Sequence, residues 1–333
     1  MLKLGIIGTN WITNQFVDAA IASKEYELTA IYSRKESSAL AFGKPYGVST
    51  VKTDLIEFVS MPELDVIYIA SPNSLHFQQS KLAIEHGKHV IVEKPAVSTS
   101  AELAEVIALA KEKQCFYFEA ARNIHEASFK KVSEILPQPE EIIGANFSFM
   151  KYSSRYDLVL AGEEPNIFSP AFSGGALMDL GVYVVYAAVA WFGKPESAFY
   201  FARKVPTGVD GIGTIILRYA NFDVNLMTGK IGNSFLPSEI YSLKETIVLN
   251  AVNSIESIQV YNRQQAEFSV VEAAPEEQPM IAEARDFAAV ITQPQDPNWQ
   301  AAYEEWLVIA QTVHTIMEDL RQQVEVVFPA DKN

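Results

Sequence analysis

The chain has one cysteine, Cys115, in 333 residues. A lone thiol excludes a disulfide within the chain and any thiolate metal cluster, and it fits a reducing cytoplasm. Cations are scarce as well: 26 Lys and Arg stand against 41 Asp and Glu, a formal charge of -15. A surface of that sign repels phosphate backbones and anionic membranes, so neither nucleic acid nor a membrane is expected as a partner. No spacing of His, Cys and Asp suggests a metal site. Long apolar runs are missing, since the longest, Val182 to Phe192, is too short to span a bilayer. The opening Met1-Leu2-Lys3-Leu4-Gly5-Ile6-Ile7-Gly8 lacks a signal-peptide layout. The expectation is a soluble cytoplasmic protein, long enough for two domains with cores of their own.

What is present is a change of rhythm. Residues 1–121 alternate strand and helix patterns. Leu4-Gly5-Ile6-Ile7, Leu28-Thr29-Ala30-Ile31-Tyr32, Val66-Ile67-Tyr68-Ile69-Ala70, Val90-Ile91-Val92 and Cys115-Phe116-Tyr117-Phe118 read as buried strands with helices between them. Such alternation predicts an α/β domain with a parallel, doubly wound sheet. Residues 122–333 instead carry successive β-rich runs, from Ala198 to Tyr261, after a helical segment at Gly174 to Trp191. Strands without intervening helices predict a second, α+β domain with an open, mainly antiparallel sheet. Two helices, near Met280 to Ile291 and Ala301 to Gln322, and a last strand, Val324 to Phe328, are expected to close the chain, the helices packing back on the first domain.

The strand Val90-Ile91-Val92 runs straight into Glu93-Lys94-Pro95. Proline biases Lys94 toward extended geometry, which fixes where the ammonium points. Ligands of open α/β sheets sit at the carboxyl ends of strands. Lys94 is thus a catalytic candidate, or a lysine snorkelling at a strand end. Gly8 lies where the first strand turns into the first helix, as a dinucleotide turn requires. The usual three glycines are reduced to Gly8, Asn10 and Thr13. A plain glycine turn is the alternative, and Asn10 keeps the turn shape if it takes positive φ. At the end of the second strand stands Ser33-Arg34-Lys35, with no carboxylate until Glu36. A hydroxyl and two cations suit the 2′-phosphate of NADP(H) better than the free ribose of NAD(H), which remains possible; a solvated turn is the other outcome.

Together with Ser71-Pro72-Asn73-Ser74-Leu75-His76, Gly87-Lys88-His89-Val90-Ile91-Val92-Glu93-Lys94-Pro95 and Gly174-Gly175-Ala176-Leu177-Met178-Asp179-Leu180-Gly181-Val182-Tyr183, these residues resemble the glucose–fructose oxidoreductase / inositol dehydrogenase family (Gfo/Idh/MocA) over nearly the whole chain. The resemblance implies an N-terminal Rossmann domain, a C-terminal substrate domain and a homodimer or homotetramer through the C-terminal sheet. Gly8, Thr9, Asn10, Trp11, Ile12, Ser33, Arg34, Lys35, Ser71, Pro72, Asn73, His76, Glu93 and Lys94 would then face the cofactor. Lys94, Asp179, Tyr183, Arg122 and Tyr156 would face a small-molecule substrate, a sugar, polyol or diol; for Arg122 an interdomain salt bridge is equally open.

Many members carry His at the place of Tyr183. Tyrosine there resembles the branch with glucose–fructose oxidoreductase and the dimeric dihydrodiol dehydrogenases, and turns expectation away from inositol dehydrogenase chemistry in particular. Asp179 and Tyr183 are four apart in a helical segment and share a face. Tyr183 is the expected acid/base, Lys94 lowering its pKa and binding the substrate oxygen, and Asp179 orienting a hydroxyl or the lysine. The roles of Lys94 and Tyr183 as proton donor are interchangeable at this level. Trans-dihydrodiol oxidation and a non-catalytic, cofactor-sensing regulator are the alternatives.

Overall fold

The computed structural model describes residues 1–332. Six strands form one parallel sheet: β1 (Leu2–Ile7), β2 (Tyr26–Tyr32), β3 (Val51–Lys52), β4 (Val66–Ile69), β5 (His89–Glu93) and β6 (Tyr117–Ala120). Their order is β3-β2-β1-β4-β5-β6, reversing direction between β1 and β4, so a crevice opens at the carboxyl ends of those two strands. Every residue of β4 is buried, as a strand covered on both faces requires. The helices α1 (Trp11–Ser23), α2 (Glu36–Gly43), α3 (Leu55–Val59), α4 (His76–Glu85) and α5 (Ser100–Glu112) connect the strands. The long-range contacts divide the chain into two compact units, 1–122 with 278–308, and 123–277 with 309–333. Helix Ile281–Thr292 accordingly belongs to the first core. Its Phe287 stacks on Phe118, and the Tyr26 hydroxyl donates to the Ala284 carbonyl at 2.9 Å.

The second unit is built on an eight-stranded sheet. Its strands are β7 (Ile142–Met150), β8 (Ser197–Lys204), β9 (Asp210–Arg218), β10 (Asp223–Gly229), β11 (Ser238–Ser242), β12 (Glu245–Leu249), β13 (Ile258–Asn262) and β14 (Glu267–Val271). They run in the order β14-β13-β12-β11-β7-β10-β9-β8, antiparallel except for the β7–β10 pair. The helices α6 (Ala127–Ile135), α7 (Tyr156–Leu160) and α8 (Val182–Phe192) belong to this unit, and α8 is apolar nearly all round because it is buried nearly all round. Together with the turns before it, the helical stretch Pro170–Phe192 is long and apolar enough to cross a membrane by composition, but 72% of its most apolar 18-residue window is buried inside the protein, as in a core helix.

Three local expectations change. Asn10 does not take positive φ; it stays extended (φ -93°) and caps α1, its Oδ1 accepting from the N–H groups of Ile12 and Thr13. The helix expected from Gly174 opens instead with a π-helical turn, Leu177–Gly181, before α8 begins. No strand forms at Val324 to Phe328. There the Arg321 guanidinium donates to the Val326 carbonyl at 2.8 Å and holds Asp331 with two bonds of 2.6 and 2.7 Å. The Asp331 carboxylate in turn accepts from the Phe328 N–H at 2.6 Å. A buried arginine thus supplies the polar partners that a neighbouring strand would have supplied.

Candidate functional site

The candidate residues fall in two groups, one in each unit. In the first, Gly8 follows β1 with φ +109°, and a Cβ there would stand 2.7 Å from the Ala70 carbonyl oxygen. Only glycine fits this close crossing of the β1 and β4 ends. The Asn10 amide reinforces the crossing by donating to the same carbonyl at 2.7 Å. Ser33, Arg34 and Lys35 leave the end of β2, the two cations exposed.

Beyond β4, residues 71–75 make a short turn that leads into α4. His76 opens that helix and is buried, its Nε2 2.8 Å from the Ser71 carbonyl oxygen and its Nδ1 3.0 Å from that of Pro95. Burial lowers its pKa, and the positive Lys94 adds to that, while the two carbonyls and Glu119 oppose it. As neutral imidazole it donates to one of the two oxygens at a time. The Lys94–Pro95 peptide is cis. On the far side of Pro95, the Ala96 N–H donates to Glu119 Oε1 at 2.9 Å. His76 and Glu119 therefore grip the backbone next to Lys94 from two directions. Glu93, buried at the end of β5, accepts from the Tyr68 hydroxyl at 2.6 Å. Burial pushes its carboxyl pKa up, against the opposing pull of Lys94, Tyr68 and Arg122. Arg122 begins the short turn after β6.

The second group surrounds the π turn. Asp179 lies in it, half-buried, and Tyr183 lies just beyond its junction with α8, its ring edge-on to Phe149 at 5.5 Å. An i→i+5 turn inserts an extra residue and re-aims the side chains that follow; such turns are frequent at functional sites. Asp210, at the start of β9, holds the turn in place. Its Oδ2 accepts from the Leu177 N–H at 2.6 Å and from the Tyr200 hydroxyl at 2.7 Å. Gly175, with φ +126°, leaves room for this carboxyl, since a Cβ would lie 2.2 Å from Asp210 Oδ1. Replacing Asp210 with Ala strands two buried donors and is expected to cost about 2–4 kcal/mol of stability, read as a lowered urea midpoint.

Lys230, just past β10, pairs with Asp179 Oδ2. Its side chain is 1% exposed against 26% for Asp179, so the anion is the half of the pair that a ligand can reach. The ammonium also lies 5.2 Å from the centre of the Phe168 ring, which in turn packs against Tyr156. Sequence reasoning named Asp179, Tyr183 and Tyr156 but missed Lys230 and Glu119. The signal for Lys230 is weaker than for Lys94: a lysine at the end of a strand that mixes apolar and polar residues. Among the described residues no group of three or more His, Cys, Asp and Glu could hold a metal ion.

Comparison with known proteins gives this geometry its setting. Residues 2–121 match the family model for an oxidoreductase family with an NAD-binding Rossmann fold, and residues 141–235 match the C-terminal domain of the same family. The chain belongs to the Gfo/Idh/MocA oxidoreductase family. Within this family it is 36% identical to scyllo-inositol 2-dehydrogenase (NADP(+)) IolU of Bacillus subtilis, over the full length of both chains. It is 35% identical to the oxidoreductase YgjR of Escherichia coli over 99% of each chain. A more distant relative is human trans-1,2-dihydrobenzene-1,2-diol dehydrogenase, 27% identical over 74% of this chain and 70% of that one. KijD10, a 3-ketoreductase of Actinomadura kijaniata solved with NADP, shares the fold with a TM-score of 0.80 over 97% of both chains, at 21% identity.

As a Gfo/Idh/MocA oxidoreductase, the chain should accommodate a nicotinamide dinucleotide. The residues present fit one. The Gly8 crossing keeps side-chain bulk away from the switch between β1 and β4, and the exposed Arg34 and Lys35 flank it from the end of β2. The N–H groups of Ile12 and Thr13 are already satisfied by Asn10, so here the fit rests on the glycine turn and the cations more than on free donors of α1.

Proposed function

We propose that this oxidoreductase interconverts a neutral cyclic polyol and its ketone with NADP(H), an inositol being the representative substrate. The observation that carries this reading is the full-length relationship to a scyllo-inositol 2-dehydrogenase that uses NADP(+). It weighs against the expectation from Tyr183 alone, which pointed away from inositols. The Asp179–Lys230 pair supports the same class, because an ionised carboxylate accepts hydrogen bonds and cannot donate them, which suits a ring of hydroxyl donors. Arg34 and Lys35, with no acid between β2 and Glu36, support NADP(H) over NAD(H).

The nicotinamide, when bound, supplies or takes up the hydride. The protein has to move one proton and hold the substrate. In this proposal the Tyr183 hydroxyl gives that proton to the substrate oxygen in reduction and removes it in oxidation. The Lys94 ammonium binds the same oxygen and favours the tyrosinate form. Asp179 accepts a hydrogen bond from a neighbouring hydroxyl of the ring. His76 and Glu119 fix the chain on either side of Pro95, so that the Lys94 backbone does not shift as charge develops.

The test is initial-rate kinetics with NADP+ and NAD+ on scyllo-inositol, myo-inositol, D-xylose and a trans-dihydrodiol. NADP+-dependent oxidation of an inositol is expected. Turnover of the trans-dihydrodiol alone would favour the second reading, for which the 27%-identical human enzyme speaks. Cofactor binding without turnover of any compound would favour a sensor. Arg34→Ala should raise KM for NADP+ by roughly tenfold and leave KM for NAD+ nearly unchanged, a modest effect because the guanidinium is exposed.

A further inference from the structure

Lys230 has no role in the family resemblance, yet its setting is unusual for a lysine. An ammonium is rarely fully buried without a partner, because desolvation costs several kcal/mol. Here the backbone on both sides of the side chain is tied down. The Lys230 N–H donates to the Gly211 carbonyl at 2.8 Å, and its own carbonyl accepts from the Ser153 N–H at 2.9 Å. Two acids act on the ammonium: Asp179, which it contacts, and Asp210, whose charge reaches it from β9. Asp210 also clamps the π turn that carries Asp179, and the Thr228 hydroxyl ties that turn to β10 by donating to the Ala176 carbonyl at 3.2 Å. Lys230 and the segment bearing Asp179 are thus parts of one rigid assembly, with Tyr183 following immediately along the chain.

On the polyol reading above, we propose that Lys230 is a positioning residue that holds Asp179 ionised and in a fixed orientation, so that it serves as a permanent acceptor for a substrate hydroxyl. The lysine does not touch the substrate; it acts through the carboxylate. Its buried position makes the interaction strong and keeps competing water away. A carboxyl without that partner would take up a proton more readily and, once protonated, would present a donor where the substrate also presents a donor.

The experiment combines Lys230→Met, which keeps the length of the stem and removes the charge, with Asp179→Asn and the double variant. Asp179 is followed by carboxyl 13C NMR in the cofactor-free protein, its signal assigned by its loss in Asp179→Asn. In Lys230→Met the carboxyl should protonate at a pH at least about one unit higher than in the native protein. With scyllo-inositol, kcat/KM should fall by roughly 10- to 100-fold, its acid limb moving to higher pH, while Kd for NADPH stays unchanged. The double variant should be no worse than Asp179→Asn alone, since the lysine acts through the acid. An unmoved carboxyl titration, or losses that multiply in the double variant, would overturn the proposal. If Lys230→Met does not fold, Lys230→Gln, which keeps a donor without charge, carries the same comparison. If the native enzyme turns over no polyol, the functional reading fails, and the NMR titration still decides the role of Lys230.

Discussion

Tyr183→Phe is expected to lower kcat by about 10³-fold for the preferred substrate, within the range attributed to a lost general acid–base group. The substitution removes one oxygen and keeps the ring, so the edge-on contact with Phe149 persists and the fold should hold. The cofactor lies with residues of the first unit in this proposal, so Kd for NADPH should not change. KM for the polyol should rise only modestly, because the missing hydroxyl acts chiefly as the proton moves. A primary isotope effect with C-deuterated substrate should change in parallel if proton and hydride transfer are coupled. The decisive comparison is the pH–rate profile: the limb assigned to Tyr183 should vanish, leaving only the acid limb that belongs to Asp179. A phenylalanine variant that keeps the native kcat would transfer the proton to Lys94 and reverse the assignment.

How much of this was legible in the chain follows from the type of signal each residue carries. Buried parallel strands announce themselves, because a strand covered on both faces must be apolar throughout; β4 is four consecutive buried residues. The strand β14 was missed for the opposite reason. Phe268 and Val270 remain exposed, so no buried face stands out in its sequence. Lys94 was conspicuous because a proline follows it and an apolar strand precedes it. Lys230 ends a strand too, but one that carries Asp223, Asn225 and Thr228; no proline marks it, and the acid it pairs with is 51 residues away. Pairing over such distances is decided by tertiary packing, which periodicity does not record. The π turn was likewise invisible, since the residues Leu177 to Gly181 suit an ordinary helix; the wider turn is secured by Asp210 from another strand. Asn10 shows a subtler limit. Its tolerance for positive φ suggested one role, but its side chain serves equally well as a helix cap, and the cap is what the structure uses.

Lys94→Met provides the second large effect, and its form differs from that of the tyrosine variant. We expect kcat/KM to fall by about 10³-fold, comparable to the loss of an electrostatic stabiliser in a water-excluded site. The residual activity should keep a pH dependence if, as proposed, Tyr183 carries the proton. Free tyrosine ionises near pH 10, and a nearby cation favours the tyrosinate and lowers that value. On that proposal, removing the ammonium moves the ionisation of Tyr183 upward, and the oxidation rate of Lys94→Met should go on rising at pH values where the native rate has levelled off. The loop itself should hold its place. The Pro95 carbonyl stays within reach of His76, and the Ala96 N–H keeps its bond to Glu119. Kd for NADPH should then weaken by only a few-fold, which separates a chemical role from a structural one. If Lys94 and Tyr183 act as one unit, the double variant Lys94→Met/Tyr183→Phe should be little slower than the worse single variant. A limb that disappears while kcat collapses would instead make Lys94 the proton donor, and Tyr183 the group that orients it.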